Sequence, residues 1–162
     1  MRTICVMAAV RTMASLAALV LLLTSAAAAD TGRTVSDGAL RVPLLSGWFG
    51  SVGPGTEGTH PVAWILVANF RLPADAARHE GVPSVPRGKV VVAIGDFFPA
   101  GASAHWRVVD NLRVPRAQLV RSGRWWRVRY AGRAVTISAT FGSRPRPALL
   151  SRTEQVLAAI RR

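Results

Sequence analysis

The side chains best suited to chemistry crowd into one short stretch, Arg124 to Tyr130, which reads Arg-Trp-Trp-Arg-Val-Arg-Tyr. With the two-residue period of a strand, Trp125, Arg127 and Arg129 share one face, and Trp126, Val128 and Tyr130 share the other. Guanidinium groups grip phosphates and carboxylates in bidentate pairs. An indole beside them suits the boundary between an apolar surface and a polar one. Arg124, Trp125, Arg127 and Arg129 are therefore the candidate residues for contact with an anionic lipid or polymer surface. A solvated strand face explains the same pattern without a ligand, its arginines lying over neighbouring side chains and its Trp covering a sheet edge.

Other chemistries find less support. Cys5 is the only cysteine and His60, His79 and His105 are scattered, so no zinc-ligand spacing exists and no metal or cofactor is implied. His79 and Glu80 are adjacent, whereas a helical zinc site places its histidines four residues apart. Gly-Ala-Ser-Ala-His at 101–105 is similar to a nucleophile elbow, but His105 stands where the second glycine belongs. A small secreted hydrolase using His105 or His79 with a nearby Asp, such as Asp96 or Asp110, is the second functional reading. Asp37, Asp96 and Asp110 also offer paired carboxylates, as most chains of this size do. Gly53-x-Gly55-x-x-Gly58 has the glycine spacing of a dinucleotide loop, which requires a helix after it to hold the phosphates. Thr59, His60, Pro61 and an apolar run follow instead, and Pro54 removes a backbone N–H. These glycines are expected to form a turn between strands.

The elements that would position these residues begin after an export signal. Arg2 and Arg11 precede an apolar core from Met13 to Leu23, and Ala27-Ala28-Ala29 meets the small-residue rule for cleavage before Asp30. Residues 1–29 are thus expected to be a signal peptide of the general secretory route, making the protein secreted or envelope-associated. The chain after it has no cysteine, so its core alone must hold it together. Of 162 residues, 21 are basic and 8 acidic, a net charge of +13 that falls by two when Arg2 and Arg11 leave. Lys89 is the only lysine, a choice that codon bias explains, but the excess of base over acid favours polyanions such as acidic wall polymer or anionic lipid. Nucleic acid ranks lower for an exported protein.

Residues 30–37 read as a flexible lead-in and 38–162 as one domain. Ala39 to Val42 is a short strand limited by Pro43, and a further strand is expected from Gly47 to Val52. Val62–Phe70 and Lys89–Phe98 carry apolar residues on both faces and are rich in Val and Ile, the mark of central strands covered on both sides. Between them Arg71 to Gly88 is a long connection with one helical turn near Ala74 to His79. Ala104 to Val109 and Ala117 to Arg121 are weaker strand candidates. Ala131-Gly132 should close a hairpin between Arg124–Tyr130 and a second strand ending at Phe141. In that second strand Val135, Ile137, Ala139 and Phe141 alternate with Ala134, Thr136, Ser138 and Thr140, predicting one buried and one wet face. Ser151-x-x-Glu154 has capping-box spacing and opens a C-terminal helix with Val156, Leu157 and Ile160 on its apolar stripe. Arg161 and Arg162 suit the negative end of that helix.

"GALRVPLLSGWFGSV", "VANFRLP", "GKVVVAIGDF" and "LLSRTEQVLAAIRR" together resemble small exported actinobacterial proteins of uncharacterised function. More distantly the chain is similar to the PsbP-like α/β fold. That resemblance implies an antiparallel sheet packed by helices and an accessory or binding role, and it carries over no catalytic residue. The expectation is an α+β protein with a mainly antiparallel sheet and a packed C-terminal helix. Its function is expected to be that of a non-catalytic binding or accessory module of the cell envelope.

Overall fold

A computed structural model describes residues 33–57, 60–78, 83–97, 105–119 and 124–162. The expected signal peptide lies outside them. The architecture is α+β. Strands β3 (Phe49–Glu57), β4 (His60–Ala68), β5 (Val90–Phe97), β6 (Arg107–Val109), β7 (Trp125–Tyr130) and β8 (Arg133–Phe141) form one sheet in the order β3-β4-β5-β8-β7-β6. Every pairing is antiparallel except β6 with β7. Beside this sheet β1 (Thr34–Ser36) pairs with β2 (Arg41–Pro43). Helix α1 (Arg116–Leu119) precedes β7, and α2 (Pro147–Ala158) follows β8.

The two apolar runs form adjacent central strands, as their composition predicts. All of β5 but Phe97 is buried, because material covers both faces. On one face Ile65, Val67, Val92, Ile94, Val135 and Ile137 meet Leu149, Val156 and Leu157 of α2, with Leu40, Val42 and Trp48 alongside. On the other face Leu66, Ala68, Val91 and Ala93 meet Ala76 and Ala77, which lie in a 3-10 turn over Ala76–Arg78. Each fully buried Val, Leu or Ile contributes about 1.5–3 kcal/mol relative to its exposed state. The hairpin also forms where expected. Ala131 and Gly132 both have positive φ, at 51° and 79°, the backbone that matches a two-residue turn to the strand twist.

Several expectations are corrected. The lead-in over 30–37 contains strand β1, which Asp37 ties to β2 by accepting hydrogen bonds from the amides of Ala39 and Leu40 at 2.9 and 2.7 Å. The face of β8 expected to be wet is buried at Thr136 and Ser138, these small side chains sharing their sheet face with the large rings of Trp64 on β4 and Trp125 on β7. Ala117 to Leu119, expected in a strand, belongs to α1. Pro115 starts that turn of helix, its carbonyl accepting from the amides of Gln118 and Leu119. The C-terminal helix begins four residues before the capping box, with Arg146 as N-cap and Pro147 in the first turn. Ser151 Oγ instead donates to the Pro147 carbonyl at 3.4 Å. Past the helix, Arg161 pairs with Arg41 as an isolated bridge, and its guanidinium donates to the carbonyl of Ala158 at 2.8 Å.

The glycines expected in a turn are the most informative correction. Gly53 and Gly55 lie within β3, opposite Trp64 and Val62, while Gly58 lies outside the described residues. A Cβ on Gly55 would sit 2.5 Å from Trp64 Cδ1, and one on Gly95 would sit 2.8 Å from Trp64 Cζ3 and 2.7 Å from Thr136 Oγ1. The indole of Trp64 therefore lies flat over two glycines on flanking strands, which is why a residue with a side chain cannot stand there. Gly95→Ala should destabilise the fold by about 1–3 kcal/mol through overpacking, read as a lower midpoint in urea unfolding. An unchanged midpoint would show that the ring is free to move aside.

Candidate anion-binding surface

The strand period places the candidate residues as expected, and the sheet register shows what stands behind them. On the face away from α2, one cross-strand row runs Gly53–Trp64–Gly95–Thr136–Arg127. A neighbouring row ends in Ala93–Ser138–Trp125, and another in Ala134–Arg129–Val108. Trp125, Arg127 and Arg129 thus occupy consecutive rows of one face. Because Gly95 and Thr136 are small, Trp64 reaches across them, and its ring centroid lies 5.4 Å from that of Trp125 with the planes tilted by 53°. This is a favourable aromatic geometry that fixes the outer ring.

Trp125 nevertheless leaves 42% of its surface open, and Val108 leaves 68%. Arg124 and Arg127 are exposed. Arg129 is half-buried, and its Nε is buried with no hydrogen-bond partner among the described residues. The ion pairs Arg116–Glu154, at 4.0 Å, and Arg133–Asp96, at 2.6 Å, draw on none of these arginines. The surface is therefore a positive strand face with an apolar rim, and among the described residues neither Arg127 nor Arg129 has an ion-pair partner. A hollow of about 190 Å³ opens at the end of β7, lined by Gln118, Arg124, Trp125, Trp126 and Arg127 among others.

His105 is exposed, with its ring edge-on to Trp106 at 6.4 Å, and Asp110 is exposed after β6. His79 and Ser103 lie outside the described residues. Asp96 lies on the opposite sheet face and is only 1% exposed, out of reach of a substrate. Among the described residues no three His, Cys, Asp or Glu side chains converge as metal ligands, and no helix is long and apolar enough to cross a membrane.

Comparison with known proteins finds no matching family model, curated protein or solved structure. The functional reading rests on this chain's own residues. Sequence reasoning missed Trp64 and Val108, which join the surface across strands. The available signal for Trp64 was Gly95, a glycine inside an otherwise Val- and Ile-rich strand, which marks a close approach by another group.

The paired carboxylates have a structural outcome. Arg133 Nε donates to both oxygens of Asp96, at 2.6 and 2.7 Å. Asp37 lies close enough to Asp96 to act on its charge, and its Oδ2 is buried with no donor among the described residues. A like charge nearby disfavours the ionised form of a buried carboxyl. Burial chiefly, opposed by Arg133 and aided by Asp37, pushes the Asp96 carboxyl up to about 6. A folded-state value above the unfolded one means that the folded protein binds the proton more tightly. Stability from this group is full below the ordinary carboxylate range and is lost as pH rises through about 6. Asp37→Asn keeps an acceptor for the turn and removes the like charge, so it should flatten this dependence. Thermal midpoints between pH 4 and 8 check it, and identical slopes in both proteins would contradict the like-charge effect of Asp37 on Asp96.

Proposed function

We propose that the protein is a non-catalytic binding or accessory module of the cell envelope that holds an anionic polymer against the basic face of β7. The observation that carries this reading is the shared face of Trp125, Arg127 and Arg129, with no carboxylate engaging either arginine among the described residues. Alternate residues on a strand stand roughly 6.6–6.8 Å apart, so the two arginines offer charge at intervals along a line, as a chain of regularly spaced anionic groups requires. The net charge of +13, lowered by two once the signal peptide leaves, draws such a chain in from a distance. Export by the N-terminal signal would place the module where acidic polymers occur, and the PsbP-like resemblance agrees with an accessory role. An anionic lipid surface is the other occupant of the same face, and vesicles test it.

The protein should be retained on immobilised polyphosphate at low salt and released as ionic strength rises, since screening shortens the reach of exposed charges. Replacing Arg127 and Arg129 together by Ala should weaken retention at least tenfold, in line with the loss of charge-assisted hydrogen bonds worth about 1.5–3 kcal/mol each. Equal retention of both proteins, or retention indifferent to salt, would overturn the proposal. Binding to phosphatidylglycerol vesicles without binding to polyphosphate would move the assignment to lipid.

A further inference from the structure

Around the edge of the sheet from the basic face, two hollows lie side by side. The first is the 190 Å³ hollow beside Arg124 and Arg127. The second, about 340 Å³, lies under β6 and is lined by Arg107, Asp110, Asn111, Arg113, Gln118 and Trp126 among others. They share Trp126 and Gln118, so these two side chains stand between them. The first is smaller than the roughly 300–1,000 Å³ pockets that engulf a whole small ligand, and the second is at their lower limit. They suit single units of a chain lying across the surface.

The lining is unlike that of a site for bare charge. Asp110 stands among the arginines of the second hollow without an ion-pair partner among the described residues. A carboxylate there repels phosphate but accepts hydrogen bonds from hydroxyl groups. Asn111 spends its carbonyl on the Arg113 amide at 3.2 Å, which leaves its NH₂ to donate. Gln118 carries both a donor and an acceptor on one planar group. Trp126, half-buried, supplies an aromatic surface between the hollows. An indole face beside planar side chains that both donate and accept is the arrangement that fits a sugar ring, which has an apolar C–H face and a rim of hydroxyls. The flanking arginines add bidentate partners for carboxylate or phosphate groups on such rings.

We infer that the hollows on either side of Trp126 and Gln118 are sugar subsites, and that the polymer bound by this protein is an acidic glycan rather than a bare polyanion. The inference rests on the polyanion reading of β7 and names its substrate class. Trp126 packs against a ring, Gln118 and Asp110 engage its hydroxyls, and the arginines at the two ends hold the charges of neighbouring units.

The test compares three polymers: polygalacturonate, which carries carboxylates on sugar rings, polyphosphate, which carries charge without rings, and neutral dextran. At equal charge concentration, polygalacturonate should bind more tightly than polyphosphate and should perturb tryptophan fluorescence. Trp126→Leu should weaken polygalacturonate about tenfold, leave polyphosphate unchanged and abolish that fluorescence change. Gln118→Ala, at an exposed position, should weaken polygalacturonate selectively, and it serves where the Trp126 variant fails to fold. If both variants bind polygalacturonate as the parent does, or lose both polymers equally, the sugar subsites are overturned while polyanion binding by β7 stands. If the parent binds neither charged polymer, both readings fall together. Dextran bound as tightly as polygalacturonate would overturn the acidic part of the inference.

Discussion

The position of Trp64 depends on what its neighbours lack. Its indole lies over Gly55 on one flanking strand and Gly95 on the other, and only hydrogen atoms there leave room for the ring. Lying flat, it reaches past Thr136 to the ring of Trp125 on the far side of β8. One large side chain on a central strand thus sets the position of an exposed aromatic three strands away. It also covers a sheet face that would otherwise be wet. Thr136 and Ser138 are buried as a result, and Thr136 Oγ1 lies buried without a hydrogen-bond partner among the described residues. Burying a hydroxyl without a partner costs on the order of 1–3 kcal/mol, a cost that the surrounding apolar burial offsets.

This constraint divides the sheet into two kinds of strand. β4, β5 and β8 are covered on both faces and hold the fold together. β7 is covered on one face, where Val128 is fully buried, and presents Trp125, Arg127 and Arg129 on the other. Its backbone hydrogen bonds to β8 on one side and β6 on the other keep the row of arginines in line. A rigid strand suits charge recognition because little side-chain and backbone freedom remains to be lost on binding. The Asp37–Asp96–Arg133 cluster does a different job. It ties the β1–β2 unit to the sheet on the covered side, away from the face that carries Trp125, Arg127 and Arg129.

The parts of this structure that were legible in the sequence are those in which local pattern and tertiary environment agree. Val62–Phe70 and Lys89–Phe98 read as central strands because double burial puts apolar residues at successive positions on both faces. The β7–β8 hairpin read correctly because alternation and Ala131-Gly132 point to the same turn. Trp125, Arg127 and Arg129 were placed on one face by the strand period alone. The failures have a common origin in contacts between distant segments. Alternating Thr and Ser in β8 suggested solvent, but Trp64 and Trp125 cover them. Gly53 and Gly55 were assigned to a turn, since nothing local shows that an indole rests on the strand. Ser151 and Glu154 had the right spacing for a cap, but Pro147 lets the helix start earlier. Trp126, Gln118 and Asp110 were absent from the candidate site because they converge only when α1 and β6 fold against β7.

β7 forms a fixed, positively charged ledge on a doubly covered sheet, and amide chemical-shift mapping tests its role most directly. When polygalacturonate is titrated into the ¹⁵N-labelled protein, shifts should concentrate at residues 124–130 and at Val108, Asn111 and Gln118. Val90 to Ile94, in the covered centre of β5, should stay still. Perturbation centred on β3 or α2, or spread evenly over the sheet, would contradict it.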